Sequence, residues 1–134
     1  MRVLLGSADA NLRLSLELLL SEEPGVTIVG AAMGAEGLLA LAATSDPDMA
    51  IIDWDLPRRS ISQLIKEVRK HKIPVGIILL GAKSQLRQSA LQAGADAYVT
   101  KGSPPETLLK SFRDIRADLK QAAADSNELK EDTR

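Results

Sequence analysis

The chain contains no cysteine, which excludes disulfides and thiolate metal sites. Histidine occurs once, as His71. One imidazole rules out a multi-histidine metal site and argues against a Ser-His-Asp triad. Aromatic residues make up 2% of the sequence, one each of Trp, Tyr and Phe, so leucine, isoleucine, valine and alanine must fill any core. Charge of neither sign predominates, because 17 Lys and Arg face 18 Asp and Glu, leaving a formal net charge of −1. That balance offers no field for nucleic acid or for an anionic membrane. No run of about 18 apolar residues exists that could span a bilayer. The opening Met1-Arg2-Val3-Leu4-Leu5 is too short to serve as a signal peptide. The expectation is a soluble, cytoplasmic protein with no membrane or nucleic-acid contact within this chain.

What is present is one pattern repeated five times. The 134 residues suit one domain, and 45% hydrophobic content is enough for one packed core. Val3-Leu4-Leu5 reads as a buried strand, followed by Leu12, Leu16, Leu19 and Leu20 on one helix face. Glu23-Pro24-Gly25 stops that helix. Val26 to Gly30 is a second strand, and Leu38, Leu41 and Ala42 stripe a second helix. After an Asp46-Pro47-Asp48 turn, Met49 to Ile52 is a third strand. Ile61, Leu64, Ile65 and Val68 follow the i, i+3, i+4, i+7 spacing of a third helix. His71, near its end, reads as a cation at a helix C-terminus. Pro74 precedes a fourth strand, Val75 to Leu80. Leu86, Ala90 and Ala93 give a thinner fourth stripe closed by Gly94, with Ser84 as its expected cap. Ala97-Tyr98-Val99 is a fifth strand, and Pro104-Pro105 opens a helix striped by Leu108, Phe112, Ile115 and Leu119.

Strands without polar alternation are buried on both faces, which implies a parallel sheet covered by helices on each side. Such sheets hold ligands beyond the carboxyl ends of their strands. That singles out Ser7 to Asp9, Asp53 to Asp55, Leu79 to Gly81, and Lys101. The folded domain is expected over 1–120. Residues 121–134 are rich in Ala, Asp, Glu, Lys, Ser and Asn, and read as a frayed helix end or a flexible polar tail.

The segment Pro47-Asp48-Met49-Ala50-Ile51-Ile52-Asp53-Trp54-Asp55-Leu56-Pro57 resembles the receiver-domain stretch of two-component response regulators that carries the phosphoacceptor aspartate. Ala90-Leu91-Gln92-Ala93-Gly94-Ala95-Asp96-Ala97-Tyr98-Val99-Thr100-Lys101 resembles that family's fourth helix, fifth strand and conserved-type lysine. Ile28-Val29-Gly30-Ala31-Ala32 is similar to the second strand of receivers that precede a helix-turn-helix output domain. The likeness covers roughly residues 1–118. It implies a flavodoxin-like (βα)5 doubly wound α/β fold with strand order 2-1-3-4-5.

It also implies roles. In such a receiver an aspartate takes up a phosphoryl group. A Mg2+ ion, held by that aspartate and an acidic pair after strand one, neutralises the charge, while a Ser or Thr and a lysine grip the oxygens. By resemblance Asp53 stands at the phosphoacceptor position, Lys101 at the phosphate-binding lysine and Tyr98 at the switch aromatic. The pocket positions Ser7, Ala8 and Leu79 are lost, because none supplies the carboxylate or hydroxyl the family uses there. Asp9 and Asp55 could add metal ligands to Asp53. The simpler readings are a helix cap for Asp9 and a solvated turn residue for Asp55. Arg58 and Arg59 would add positive charge beside Asp53, and Lys101 is expected to pair with it directly.

The reading that follows is a degenerate receiver, a signalling module independent of aspartate phosphorylation. It has no catalytic residues, no cofactor and no metal. Its partner would be a protein (a histidine kinase, an output domain or a second copy in a homodimer) met through helix four, strand five and helix five. Two alternatives stay open. One is a working, Mg2+-dependent receiver phosphorylated on Asp53; the other is the N-terminal regulatory domain of a helix-turn-helix transcription factor.

Overall fold

The computed structural model describes residues 1–56, 60–70 and 74–132, with side chains as far as residue 126. Pro57, Arg58, Arg59 and His71, each named above, lie outside the described residues. Five strands form one all-parallel sheet in the order β2-β1-β3-β4-β5: β1 (Arg2–Gly6), β2 (Thr27–Ala32), β3 (Met49–Asp53), β4 (Gly76–Gly81) and β5 (Ala97–Thr100). This is the flavodoxin-like topology expected. The central strands β3 and β4 are buried along their whole length, whereas β2, at an edge, is partly exposed. Central parallel strands meet helices on both faces and so carry continuous apolar runs.

Helices α1 (Ala10–Ser21), α2 (Ala35–Ser45), α3 (Ile61–Arg69), α4 (Arg87–Gln92) and α5 (Pro105–Asp132) cover the sheet. One face is packed by Leu38 and Ala42 of α2, Ile61, Leu64, Ile65 and Val68 of α3, and Ala90 of α4, against Leu4, Ile52, Leu79 and Tyr98. The other is packed by Leu16 and Leu20 of α1 and Leu108, Phe112 and Ile115 of α5, against Leu5, Ile51, Leu80 and Val99. The single phenylalanine is fully buried there.

Punctuation follows the local chemistry. Asp9 caps α1, its Oδ1 accepting from the N–H groups of Asn11 (2.9 Å) and Leu12 (3.3 Å). Gly94 closes α4 at φ +111°, a conformation glycine adopts without a Cβ clash. Ser84 does not cap α4. It opens a short 3-10 turn, Ser84–Leu86, that leads into α4, and Lys83 holds the cap position without a side-chain bond. α5 does not stop near Leu119 but runs on to Asp132, with residues 121–126 exposed. No helix among the described residues is long and apolar enough to cross a membrane.

Candidate functional site

Strand order reverses between β1 and β3, so the crevice lies where these two strands end. Asp53 is the last residue of β3 and only 4% exposed. Backbone bonds on either side fix the rim: Trp54 N–H donates to Leu80 O (2.7 Å), Lys101 N–H to Gly81 O (2.9 Å), and Ser7 N–H to Ala32 O (3.0 Å).

Both oxygens of Asp53 are engaged. Oδ1 lies 2.7 Å from Lys101 Nζ and accepts from Asp55 N–H at 3.1 Å. Oδ2 accepts from the hydroxyl of Ser7 at 2.9 Å. Ser7 is itself buried, and its Oγ accepts from Asp9 N–H at 3.1 Å. Its carbonyl accepts from Arg13 Nη1 at 2.6 Å. The expected pairing of Asp53 with Lys101 is therefore present. Ser7, read from sequence only as a lost carboxylate, turns out to be Asp53's second partner. The clue was available, since a hydroxyl at the end of a strand adjacent to β3 can reach a carboxylate on β3.

Asp55 is exposed, its carboxylate 3.5 Å from Lys101 Nζ. Partial burial works against the Lys101 ammonium. The hydrogen bond and charge of Asp53, with a smaller contribution from Asp55, outweigh that and hold its pKa above the ordinary lysine value. The Asp9 carboxylate faces its own helix, not the crevice. Among the described residues, no three Asp, Glu or His side chains converge on a point where a metal could sit.

Leu79 lies inside β4, two residues short of its end, fully buried and paired in register with Tyr98. The next residues, Leu80, Gly81 and Ala82, bring no hydroxyl to the rim. Tyr98 is 2% exposed. Its ring packs edge-on against Trp54 (centroids 6.5 Å apart), and its hydroxyl donates to the carbonyl of Lys83. Burial raises its phenol pKa, against smaller opposing effects from the Lys83 carbonyl and the charges of Arg87 and Lys101.

A family model for the response regulator receiver domain matches residues 4–113. This chain belongs to that family. It is 30% identical over 108 residues to the nitrate/nitrite response regulator protein NarL of Escherichia coli K12, covering 79% of this chain and 50% of that protein. It is 32% identical over 124 residues to the transcriptional regulatory protein PdtaR of Mycobacterium tuberculosis, covering 87% of this chain and 60% of that one. Among solved structures, a CheY-like response regulator receiver domain protein from Methanospirillum hungatei JF-1 is similar, with a TM-score of 0.77 and 25% identity over 90% of this chain and 97% of that one. The protein is thus a receiver domain of a two-component response regulator, and it spans about half the length of the curated relatives it matches.

Proposed function

We propose that this receiver is degenerate: a signalling interaction module whose output does not depend on phosphorylation of Asp53, and which is not an enzyme. The observation that carries the reading is the closed contact set around Asp53, with Ser7 on one oxygen and Lys101 on the other. A divalent cation needs several anionic oxygens before it sheds water. Here Asp9 is committed to the α1 N-terminus, Asp55 is solvated, and a serine hydroxyl and an ammonium already hold Asp53. These residues do not suit Mg2+. An incoming phosphoryl group would also meet no hydroxyl at the end of β4, where Leu80, Gly81 and Ala82 stand in place of a serine or threonine, and Leu79 lies buried within the strand. Losing one positioned electrostatic contact costs about 2.7–4 kcal/mol of transition-state stabilisation, so two losses suppress transfer by several orders of magnitude.

Trp54, the only tryptophan, adjoins Asp53. Millimolar Mg2+, with or without beryllofluoride, is expected to leave its emission unchanged, and acetyl phosphate is expected not to label Asp53. The variant Ser7→Asp/Ala8→Asp, which supplies the missing carboxylate pair, should gain a Mg2+ response. A saturable, Asp53-dependent change in the unmodified protein would instead establish the Mg2+-dependent receiver, with Asp9 and Asp55 as ligands.

The partner on this reading is a protein, met on the α4–β5–α5 face, where Leu91 is 47% exposed. Leu91→Asp should weaken self-association or kinase capture. Arg87 is a poorer probe, because its guanidinium is engaged with Tyr98. A location in the cytoplasm belongs to the same proposal. A compatible second reading, a regulatory half of a transcription factor, is favoured by the curated name of PdtaR and by the 60% of its length that this chain spans. A helix-turn-helix segment in the same polypeptide would establish it.

A further inference from the structure

We propose that the groove between α1 and α5 is a binding site for a small, mainly apolar molecule that carries one basic nitrogen. The site lies beside the Asp53 crevice, and it stands whether or not that aspartate is phosphorylated.

At the amino end of the sheet α1 and α5 are tied together. Glu23, just past α1, pairs with Arg113 of α5 at 2.5 Å and with Arg116 at 3.5 Å. Between that tie and the end of β5 lies a hollow of about 500 Å³, a size that suits small-molecule sites. Its floor is buried and apolar: Leu16 of α1, Leu80 of β4, Val99 of β5 and Leu108 of α5. Leu12 and Leu19 line one side. Pro104 and Pro105, which have no N–H to leave unpaired, line the other. Leu18, 62% exposed, carries the apolar surface outward. Covering such surface with an apolar body removes it from water, which is favourable.

The polar lining sets the charge of that body. The hydroxyls of Thr100 and Ser103 bond to each other, and the Lys101 ammonium faces the carboxylates of Asp53 and Asp55. These groups are satisfied within the protein, and one lysine beside two carboxylates gives an anion no net attraction. Glu22 differs. It lines the groove at the C-terminus of α1, away from Lys101. Among the described residues its carboxylate has no hydrogen-bond or ion-pair partner. An unpaired carboxylate at the edge of an apolar hollow attracts a cation whose remaining atoms can be buried. An ammonium at Glu22, with its apolar part over Leu16 and Leu108, meets both conditions.

The test follows amide NMR shifts of the full chain during titration, to millimolar concentration, with naphthylethylamine, naphthylethanol and naphthylacetate in turn. Saturable shifts are expected at the groove residues Ser15, Leu19, Val99 and Ser103. The amine should bind about 2–5-fold more tightly than the alcohol, the worth of one exposed ion pair, and the carboxylate should bind most weakly. Glu22→Gln should erase the amine's advantage and leave the alcohol's affinity unchanged. Ser15→Phe, at an exposed position, should fill the hollow and abolish binding of all three probes. Leu18→Ala, which leaves the core untouched, should weaken all three. No saturable shift with any probe, equal affinity for all of them, shifts spread beyond the groove, or an amine preference that survives Glu22→Gln would each overturn the proposal. So would groove shifts that move with protein concentration before any probe is added, because they would assign the groove to a second copy of the chain.

Discussion

The two ends of the sheet use charge differently. At the amino end, charged side chains tie down backbone. Arg69 of α3 donates to the carbonyls of Val75 (3.1 Å) and Gly94 (2.6 Å) and pairs with Asp96 at 2.9 Å, while Asp96 also accepts from Ile77 N–H at 2.8 Å. Arg2 donates to the Ser45 carbonyl at 2.6 and 2.9 Å, and its N–H donates to Asp48 at 2.8 Å. Glu23, nearly buried, joins the turn after α1 to Arg113 (2.5 Å) and Arg116 (3.5 Å) of α5. At the carboxyl end, one lysine and one hydroxyl face Asp53, and Asp55 remains in solvent. Loop closure accounts for the first arrangement, since unpaired carbonyls between elements must find donors. The second neutralises a buried carboxylate and, on the proposed reading, does nothing more.

If the amino end is scaffold, breaking it should cost the most. Arg69→Ala removes donors from two carbonyls and the partner of Asp96, and is expected to destabilise the fold by about 2–3 kcal/mol, read as a lower denaturant midpoint at unchanged slope. A loss below about 0.5 kcal/mol, the usual size for a surface substitution, would mean that the network is decorative.

The carboxyl end should respond less. Lys101→Met leaves Asp53 buried with Ser7 and backbone partners only. Because the lysine is partly solvated, the expected loss is about 1–2 kcal/mol. The pH dependence gives a sharper check. The folded-state pKa of Lys101 is raised above the ordinary 10.5. The pair's contribution is therefore fully present below that value and is lost as pH rises through the folded pKa. The stability difference between wild type and Lys101→Met should be flat from neutral pH to about 10, within the range where a free lysine stays charged, and shrink above it. A difference that already fades between pH 7 and 9 would show that Lys101 does not hold Asp53 in solution.

The fold was almost wholly legible in the sequence because each strand is short, apolar and bounded by Gly, Pro or Asp. Expected strand ends such as Ile52 and Leu80 lie within one residue of those observed. The Asp53–Lys101 pair was legible too, through the family resemblance, which sets both residues at the carboxyl ends of strands lining one crevice. Ser7's bond to Asp53 is not legible from a family pattern that has a carboxylate at that position, because the pattern carries no role for a hydroxyl donor there. The Glu23 and Arg69 networks had no local signal. Arg69 reaches Gly94 and Asp96, 25 and 27 positions on, Glu23 reaches Arg113, 90 positions on, and nothing in Glu23-Pro24-Gly25 announces two arginines on α5. Gly81 carries no local signal either: its lack of a side chain makes room for the Tyr98 ring, whose Oη would lie 2.2 Å from a Cβ at that position.

Glu23 offers a further test of the amino end, in acid. Its carboxyl is held below the ordinary 4.5 chiefly by the hydrogen bond from Arg113. Its contribution is present above that value and disappears as pH falls through the lower, folded pKa. Comparing wild type with Glu23→Gln, the difference in melting temperature should be constant above about pH 5, where a free glutamate is mostly ionised, and collapse toward zero in acid. A difference independent of pH would assign the effect to packing and not to charge.

The smallest effect is expected in the exposed extension of α5. α5 continues past Leu119 as a helix, but residues 121–126 are exposed, and the hydrogen bond described within that stretch is a local one, Gln121 to Asp125 at 2.9 Å. Such i, i+4 pairs stabilise a helix by only about 0.2–0.5 kcal/mol. Ala122 and Ala123 border shallow hollows at the amino end, beside Pro74, so their methyl groups set an upper bound of roughly one buried CH2 each, about 0.8 kcal/mol. Deleting residues 122–134 should therefore lower the melting temperature by no more than a few degrees, given about 2–4 °C per kcal/mol for domains near this size. A larger drop would mean that the extension packs against something, and a drop that grows as protein concentration rises would identify that something as a second copy of the chain.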